Sequence, residues 1–159
     1  MRDRLRGIFP PIPTTFDDHG DVDAAAIASN VRQWMTTGLA GILALGSNGE
    51  AGLVDEDEGD RVVRAVRQAM PAGKLLLVGT GRESTRGTIA ATKRAADLGA
   101  DAVLIRTPSF FKSQMTVDAL TKHYTRVEAR WIEAICAENP IGPLDQGLEP
   151  MPQADRPDF

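Results

Sequence analysis

The segment Gly46-Ser47-Asn48-Gly49-Glu50 holds the densest group of chemically useful residues in the chain. Two glycines bracket two small polar residues, so the backbone can turn tightly and present N–H groups beside a hydroxyl and an amide. Such a nest suits a small anion, a carboxylate or a phosphate. The same residues also suit a plain turn in which Ser47 and Asn48 satisfy nearby backbone groups. A second segment, Gly79-Thr80-Gly81-Arg82-Glu83-Ser84-Thr85, has a phosphate-loop look. It lacks the third glycine of a dinucleotide fingerprint, where Ser84 stands, and the Gly-Lys-Ser/Thr of a P-loop. Loop geometry with Ser84 capping a helix accounts for it better. In Thr107-Pro108-Ser109-Phe110-Phe111-Lys112, two adjacent aromatics lie outside any helical stripe. Phe110 and Phe111 can line a pocket, cover a subunit contact or close the core. Thr14 and Thr15, in a proline-rich turn, can add hydroxyls to the same region.

Other chemistries find little support. His19 and His123 are the only histidines and Cys136 the only cysteine, and no pair has metal-ligand spacing, so no metal site is expected. No histidine is placed to activate Ser47 in a triad, and there is no nucleophile elbow. The acidic run from Asp55 to Glu58 reads as helix capping and solvation rather than as paired catalytic carboxylates.

These segments need elements to hold them. Leu5 to Phe9 reads as a strand stopped by Pro10, Pro11 and Pro13. A helix follows from Asp23 to Gly38, with Ile27, Val31, Trp34 and Met35 on one stripe and Gly38 just past its end. Gly41 to Leu45 is the second strand. Asp55 to Met70 is the second helix, with Asp55 and Glu58 in capping-box spacing and Pro71 as its stop. Lys74 to Val78 is the third strand, Ser84 to Leu98 the third helix, closed by Gly99. Ala102 to Ile105 is the fourth strand, and a fourth helix runs from Thr116 to about Glu128. The strands are apolar on both sides, as in parallel sheets covered by helices. Four βα units in series predict an α/β barrel or an open doubly wound sheet, with function at the C-terminal strand ends. The Gly46, Gly79 and Thr107 segments all fall there.

Composition limits the remaining choices. The chain is 42% hydrophobic and 25% charged, as in soluble globular domains. No apolar run approaches the roughly 18 residues that span a bilayer, and the arginines at the N-terminus are followed by prolines and threonines instead of a signal peptide's apolar stretch. One cysteine excludes an internal disulfide. The cytoplasm is the expected compartment, with no membrane and no nucleic-acid partner, because the net charge is −4 and no basic cluster occurs. Residues 1–130 carry 17 basic and 16 acidic groups, whereas 131–159 carry 1 basic and 6 acidic groups with five of the ten prolines. The reading is a folded unit over 1–130 and an acidic, proline-rich tail over 131–159, expected to be disordered.

The motif series Gly7-Ile8-Phe9-Pro10-Pro11-Ile12-Pro13-Thr14-Thr15-Phe16, Gly46-Ser47-Asn48-Gly49-Glu50, Gly79-Thr80-Gly81 with Glu83-Ser84-Thr85, Gly99-Ala100-Asp101-Ala102 and Thr107-Pro108 resembles the dihydrodipicolinate synthase and N-acetylneuraminate lyase family. The Ser-Asn form of the second motif, with Val66-Arg67-Gln68-Ala69-Met70-Pro71 and Leu75-Leu76-Leu77-Val78-Gly79, is most similar to its 4-hydroxy-2-oxoglutarate aldolase branch. The resemblance covers residues 5–128. It implies a (β/α)8 barrel, here its first four βα units, acting as a class I aldolase or lyase of 2-oxo acids such as 4-hydroxy-2-oxoglutarate, or in a pyruvate-using synthase reaction, without a cofactor. A sixth-strand lysine would form the Schiff base and a fifth-strand tyrosine would relay protons. Ser47, Asn48 and Gly49 would hold the substrate carboxylate, with Ser47 also in the proton relay.

Two departures from that pattern stand out. Phe110-Phe111 replaces a tyrosine pair found in many members, and phenylalanine has no phenol to carry a proton. After Glu128 the tyrosine-asparagine-proline region of the fifth strand does not appear, nor does the Schiff-base lysine. Lys74, Lys93 and Lys122 sit at a strand start or within helices; only Lys112, beside Phe110 and Phe111, approaches the desolvation an amine nucleophile needs. The expectation is a chain inactive alone, either a natural half-barrel or a truncated or frameshifted product, with a non-catalytic carboxylate-binding or interaction module as the alternative. Half a barrel leaves open edges and an apolar inner face, which predicts a homo-oligomer.

Overall fold

A computed structural model describes residues 5–110 and 115–125 of the chain. Its elements are α1 (Ala24–Trp34), β1 (Gly41–Ala44), α2 (Glu56–Ala69), β2 (Leu75–Gly79), α3 (Thr85–Asp97), β3 (Ala102–Leu104) and α4 (Val117–Thr125). The strands form one parallel sheet in the order β1-β2-β3. Gly41 pairs with Leu75 and Ala44 with Val78; Leu77 pairs with Ala102 and Gly79 with Leu104. Every strand therefore ends on the same side, and the loops that follow the strands share one end of the sheet.

The first predicted strand is corrected. Leu5 to Phe9 forms no ladder; contact with β1 is displaced toward the C-terminus, to a single parallel bridge between Pro11 and Leu43. Ala40 N–H donates to the Ile8 carbonyl, Leu43 N–H to Pro10, and Ile12 N–H to Leu43, each at 3.0 Å. Prolines have no N–H to give, so the segment supports a few bonds to one neighbour and no regular strand.

Helix ends follow their caps. Asp55 accepts the Glu58 N–H while Glu58 accepts the Asp55 N–H, both at 2.8 Å, giving α2 its reciprocal capping box. Asp23 accepts the Ala26 N–H and starts α1. That helix stops at Trp34, four residues before the predicted Gly38, because the Thr36 and Thr37 hydroxyls donate to the Gln33 and Trp34 carbonyls at 2.7 Å and take over its last turn. Gly99, with φ +91°, closes α3 as expected. The predicted fourth helix begins at Val117; its proposed extension to Glu128 lies outside the described residues, as do the tail over 131–159, Phe111 and Lys112.

Alternation along the strands splits the interior in two. Ile42, Ala44, Leu76, Val78 and Val103 join Ile27, Val31, Val62, Val63, Val66 and Ala95 in one core between sheet and helices. Leu43, Leu75, Leu77 and Ala102 form a second, smaller cluster with Leu5, Phe9 and Leu104 packed against it. The expectation that this inner face stands exposed is corrected: Leu43, Leu75 and Leu77 are 4–7% exposed, since they pack on one another and on those flanking side chains. Among the described residues the large exposed hydrophobic side chains are instead Ile8, Leu53, Phe110, Val117 and Tyr124.

Candidate active site at the C-terminal strand ends

At the end of β1 the chain bends sharply. Leu45 and Glu50 both have φ 54°, the left-handed region that costs a side-chain-bearing residue about 1–2 kcal/mol. Between them Ser47–Gly49 forms one 3₁₀ turn. Gly49 N–H donates to Gly46 and Glu50 N–H to Ser47, each at 3.1 Å. The first amides of such a turn, those of Ser47 and Asn48, find no acceptor within it. Ser47 and Asn48 are exposed, and Gly49 is buried.

Gly49 is tightly held. A Cβ there would come within 2.9 Å of the Ile12 carbonyl, and the Thr14 hydroxyl donates to the Gly49 carbonyl at 2.7 Å in a buried bond. Thr14 is buried, spends its proton on the turn and acts as its buttress. The sequence candidates Thr14, Ser47, Asn48 and Gly49 thus come together as one unit: a buried glycine fixed by Ile12 and Thr14, preceded by the exposed residues Ser47 and Asn48. This set can hold a carboxylate through N–H donors and side chains.

Phe110 is not part of that unit's floor. It is 77% exposed, so it does not close the core; a pocket wall or contact surface remains for it. Its loop is organised by Glu83, a residue that the sequence motifs include without assigning it a role. Glu83 Oε2 accepts the N–H groups of Ser109 at 2.9 Å and Phe110 at 3.0 Å. Oε1 accepts from Arg106 Nη1 at 3.0 Å and from the Ser109 hydroxyl at 3.2 Å. The Phe110 and Ser109 N–H groups, followed by the Arg106 and Ser109 side chains, hold the carboxyl down at about 2, well below the usual carboxylate range.

His123 was also passed over as a site residue. It is buried on α4, with Nδ1 and Thr85 Oγ1 hydrogen-bonded at 2.9 Å. Its Nε2 makes no hydrogen bond among the described residues. Burial pushes the imidazole below its ordinary 6.5, while the Glu83 charge pulls the other way. Neither residue carries a local sequence signal: Glu83 meets its partners 23–27 positions away, and His123 meets Thr85 across 38.

No lysine approaches the Ser47 turn among the described residues. Lys74 stands just before β2, at the opposite end of the sheet, where Nζ donates to the Leu39 carbonyl. Lys122 pairs with Asp118 at 2.6 Å, and Lys93 is exposed on α3. Among the described residues no group of three or more His, Cys, Asp or Glu is arranged to hold a metal ion, and no helix is long and apolar enough to cross a membrane.

Known proteins resemble this chain in sequence and fold. Residues 4–133 match the model of the dihydrodipicolinate synthetase family. An uncharacterized DapA-like lyase of Halobacterium salinarum is 38% identical over 125 residues, which are 79% of this chain and 40% of that protein. A probable mitochondrial 4-hydroxy-2-oxoglutarate aldolase of Emericella nidulans is 36% identical over 130 residues, 79% of this chain and 42% of its own. The pyruvate-complexed dihydrodipicolinate synthase of Acinetobacter baumannii superposes with a TM-score of 0.71 at 31% identity, covering 77% of this chain and 42% of that one. This chain spans about two fifths of the length of the curated relatives it matches. Their fold is the (β/α)8 barrel, and the three-stranded parallel sheet with its helices is part of it. By the extent of the match and the agreement of the fold, this chain belongs to the dihydrodipicolinate synthetase family.

Proposed function

We propose that this chain supplies the carboxylate-holding part of a class I aldolase or lyase site for a small 2-oxo acid, pyruvate or 4-hydroxy-2-oxoglutarate, and works in the cytoplasm. The supporting observation is the Ser47–Gly49 turn, with Gly49 locked between the Ile12 carbonyl and the Thr14 hydroxyl. The amides of Ser47 and Asn48 hold the substrate carboxylate, and the Ser47 hydroxyl passes a proton. In Schiff-base chemistry a lysine amine condenses with the 2-oxo carbonyl, losing water, and the iminium withdraws electrons so that the adjacent C–C bond breaks or forms. Among the described residues Lys74, Lys93 and Lys122 stand away from the turn, and no lysine of the sequence reads as one of a fifth or sixth strand; on this reading the chain alone binds without turnover. The exposed Phe110 supplies an aromatic contact to a second copy of the chain.

Borohydride reduction with pyruvate, followed by intact mass, is expected to leave the 159-residue chain unmodified; a stable lysine adduct would refute the inactivity. Pyruvate is expected to raise the melting temperature of the chain, and Ser47→Ala with Asn48→Ala to abolish that rise. A parent chain indifferent to pyruvate would sink the carboxylate site.

A further inference from the structure

We infer that Glu83 is a positioning residue, a fixed post whose carboxylate sets the conformation of the 106–110 loop and so holds Phe110 at the mouth end of the sheet. The inference rests on the reading of that end as the site, but its structural content does not depend on any ligand. An exposed ion pair between Glu83 and Arg106 would by itself contribute little. The geometry here goes beyond a pair. Both carboxylate oxygens are used, each by two donors: Oε2 by the successive N–H groups of Ser109 and Phe110, Oε1 by Arg106 and the Ser109 hydroxyl. Consecutive backbone N–H groups converging on one anion fix the local backbone as well as the side chains. Arg106 adds bonds to the Thr107 carbonyl at 3.2 Å and to Ser109 Oγ at 3.1 Å, so the same cation ties the loop to itself and to Glu83.

A post must itself be fixed, and residue 83 is held from both sides. The fully buried Thr88 hydroxyl accepts the Arg82 N–H at 3.0 Å and donates to the Arg82 carbonyl at 3.2 Å. On the other side Ser84 accepts the Gly87 N–H and caps α3. Glu83 therefore projects from backbone tied into the first turn of α3, and the loop borrows its order from that helix. Only an ionised carboxylate offers acceptors on both oxygens; glutamine would turn an NH2 group toward one pair of donors.

Amide hydrogen exchange on the full chain tests this. In Glu83→Ala the Ser109 and Phe110 amides are expected to exchange about tenfold faster, the change that accompanies loss of a charge-assisted bond, while Val78 in β2 keeps its parent rate. Glu83→Gln is expected to fall between the two. Ser84→Ala, which loosens the α3 cap and leaves Glu83 in place, should speed the Gly87 amide and leave Ser109 and Phe110 alone. Equal loosening in Ser84→Ala and Glu83→Ala, or parent rates in Glu83→Ala, would overturn the inference. Should Glu83→Ala not fold, Glu83→Gln decides by the same two amides. A parent chain that ignores pyruvate would count against the carboxylate site alone, since the two amides still judge Glu83.

Discussion

The loops that follow β1 and β3 reach the same end of the sheet by opposite means. The Gly46–Glu50 turn is made by backbone: a 3₁₀ turn flanked by two left-handed residues, a glycine with no room for a methyl group, and one buried hydroxyl beneath it. The Arg106–Phe110 loop has no regular structure and is held by the side chain of Glu83, which arrives from the preceding βα unit. A turn built from backbone resists salt and pH and yields to changes of volume. A loop tied by a carboxylate tolerates volume and depends on charge. Within one molecule, the element proposed to touch substrate is the sterically fixed one.

Gly49→Ala breaks this comparison most directly. The new methyl would press on the Ile12 carbonyl at 2.9 Å, so either the turn or the Ile12 segment must shift. A loss of stability near 3 kcal/mol is expected, at the upper end for overpacking. Urea denaturation measures it; a neutral result would mean the turn is not fixed by its floor. Thr14→Val keeps the shape and removes the bond to the Gly49 carbonyl, leaving a buried acceptor unpaired at a cost of about 1–2 kcal/mol. Pyruvate binding should weaken with it, whereas the Ser109 and Phe110 amides should not respond, because they belong to the other loop.

The smallest effect at neutral pH concerns the charged side of the comparison. His123 is buried against Thr85, and its imidazole is held below the ordinary 6.5 by burial, against the opposing pull of Glu83. The unfolded chain then takes up a proton at a pH where the folded chain does not. This contribution to stability is full above about pH 6.5 and is lost as the pH falls below it. The urea midpoint should drop between pH 7 and pH 5, and His123→Asn, which keeps a polar group at the δ position, should flatten that part of the profile. An unchanged slope in His123→Asn would assign the drop to other groups.

What could be read in advance follows the same division. The capping box of α2, the Ser84 cap and the Gly46–Glu50 turn depend on neighbours within a few positions, so residue types and spacing announced them. Glu83 gave no such signal because its partners are brought to it by two intervening elements, α3 and β3. His123 gave none because burial on α4 is a property of packing against α3. Reading Leu5–Phe9 as a strand weighed apolar character correctly and missed that its pairing runs through the prolines. Gly38 misled as a helix stop because two threonines reached the last carbonyls first.

Those prolines have one more consequence. Along residues 8–13, the bonds to Ala40 and to Leu43 of β1 are made by Ile8, Pro10 and Ile12, so by alternation the groups of Phe9, Pro11 and Pro13 face the far side. Two of those three have no hydrogen to give. The outer flank of the segment is a row of acceptors almost without donors, legible to a neighbouring strand in one sense only. The sheet is therefore polarised across its width: one flank resists casual lengthening through its chemistry, and growth by backbone pairing is left to the β3 flank.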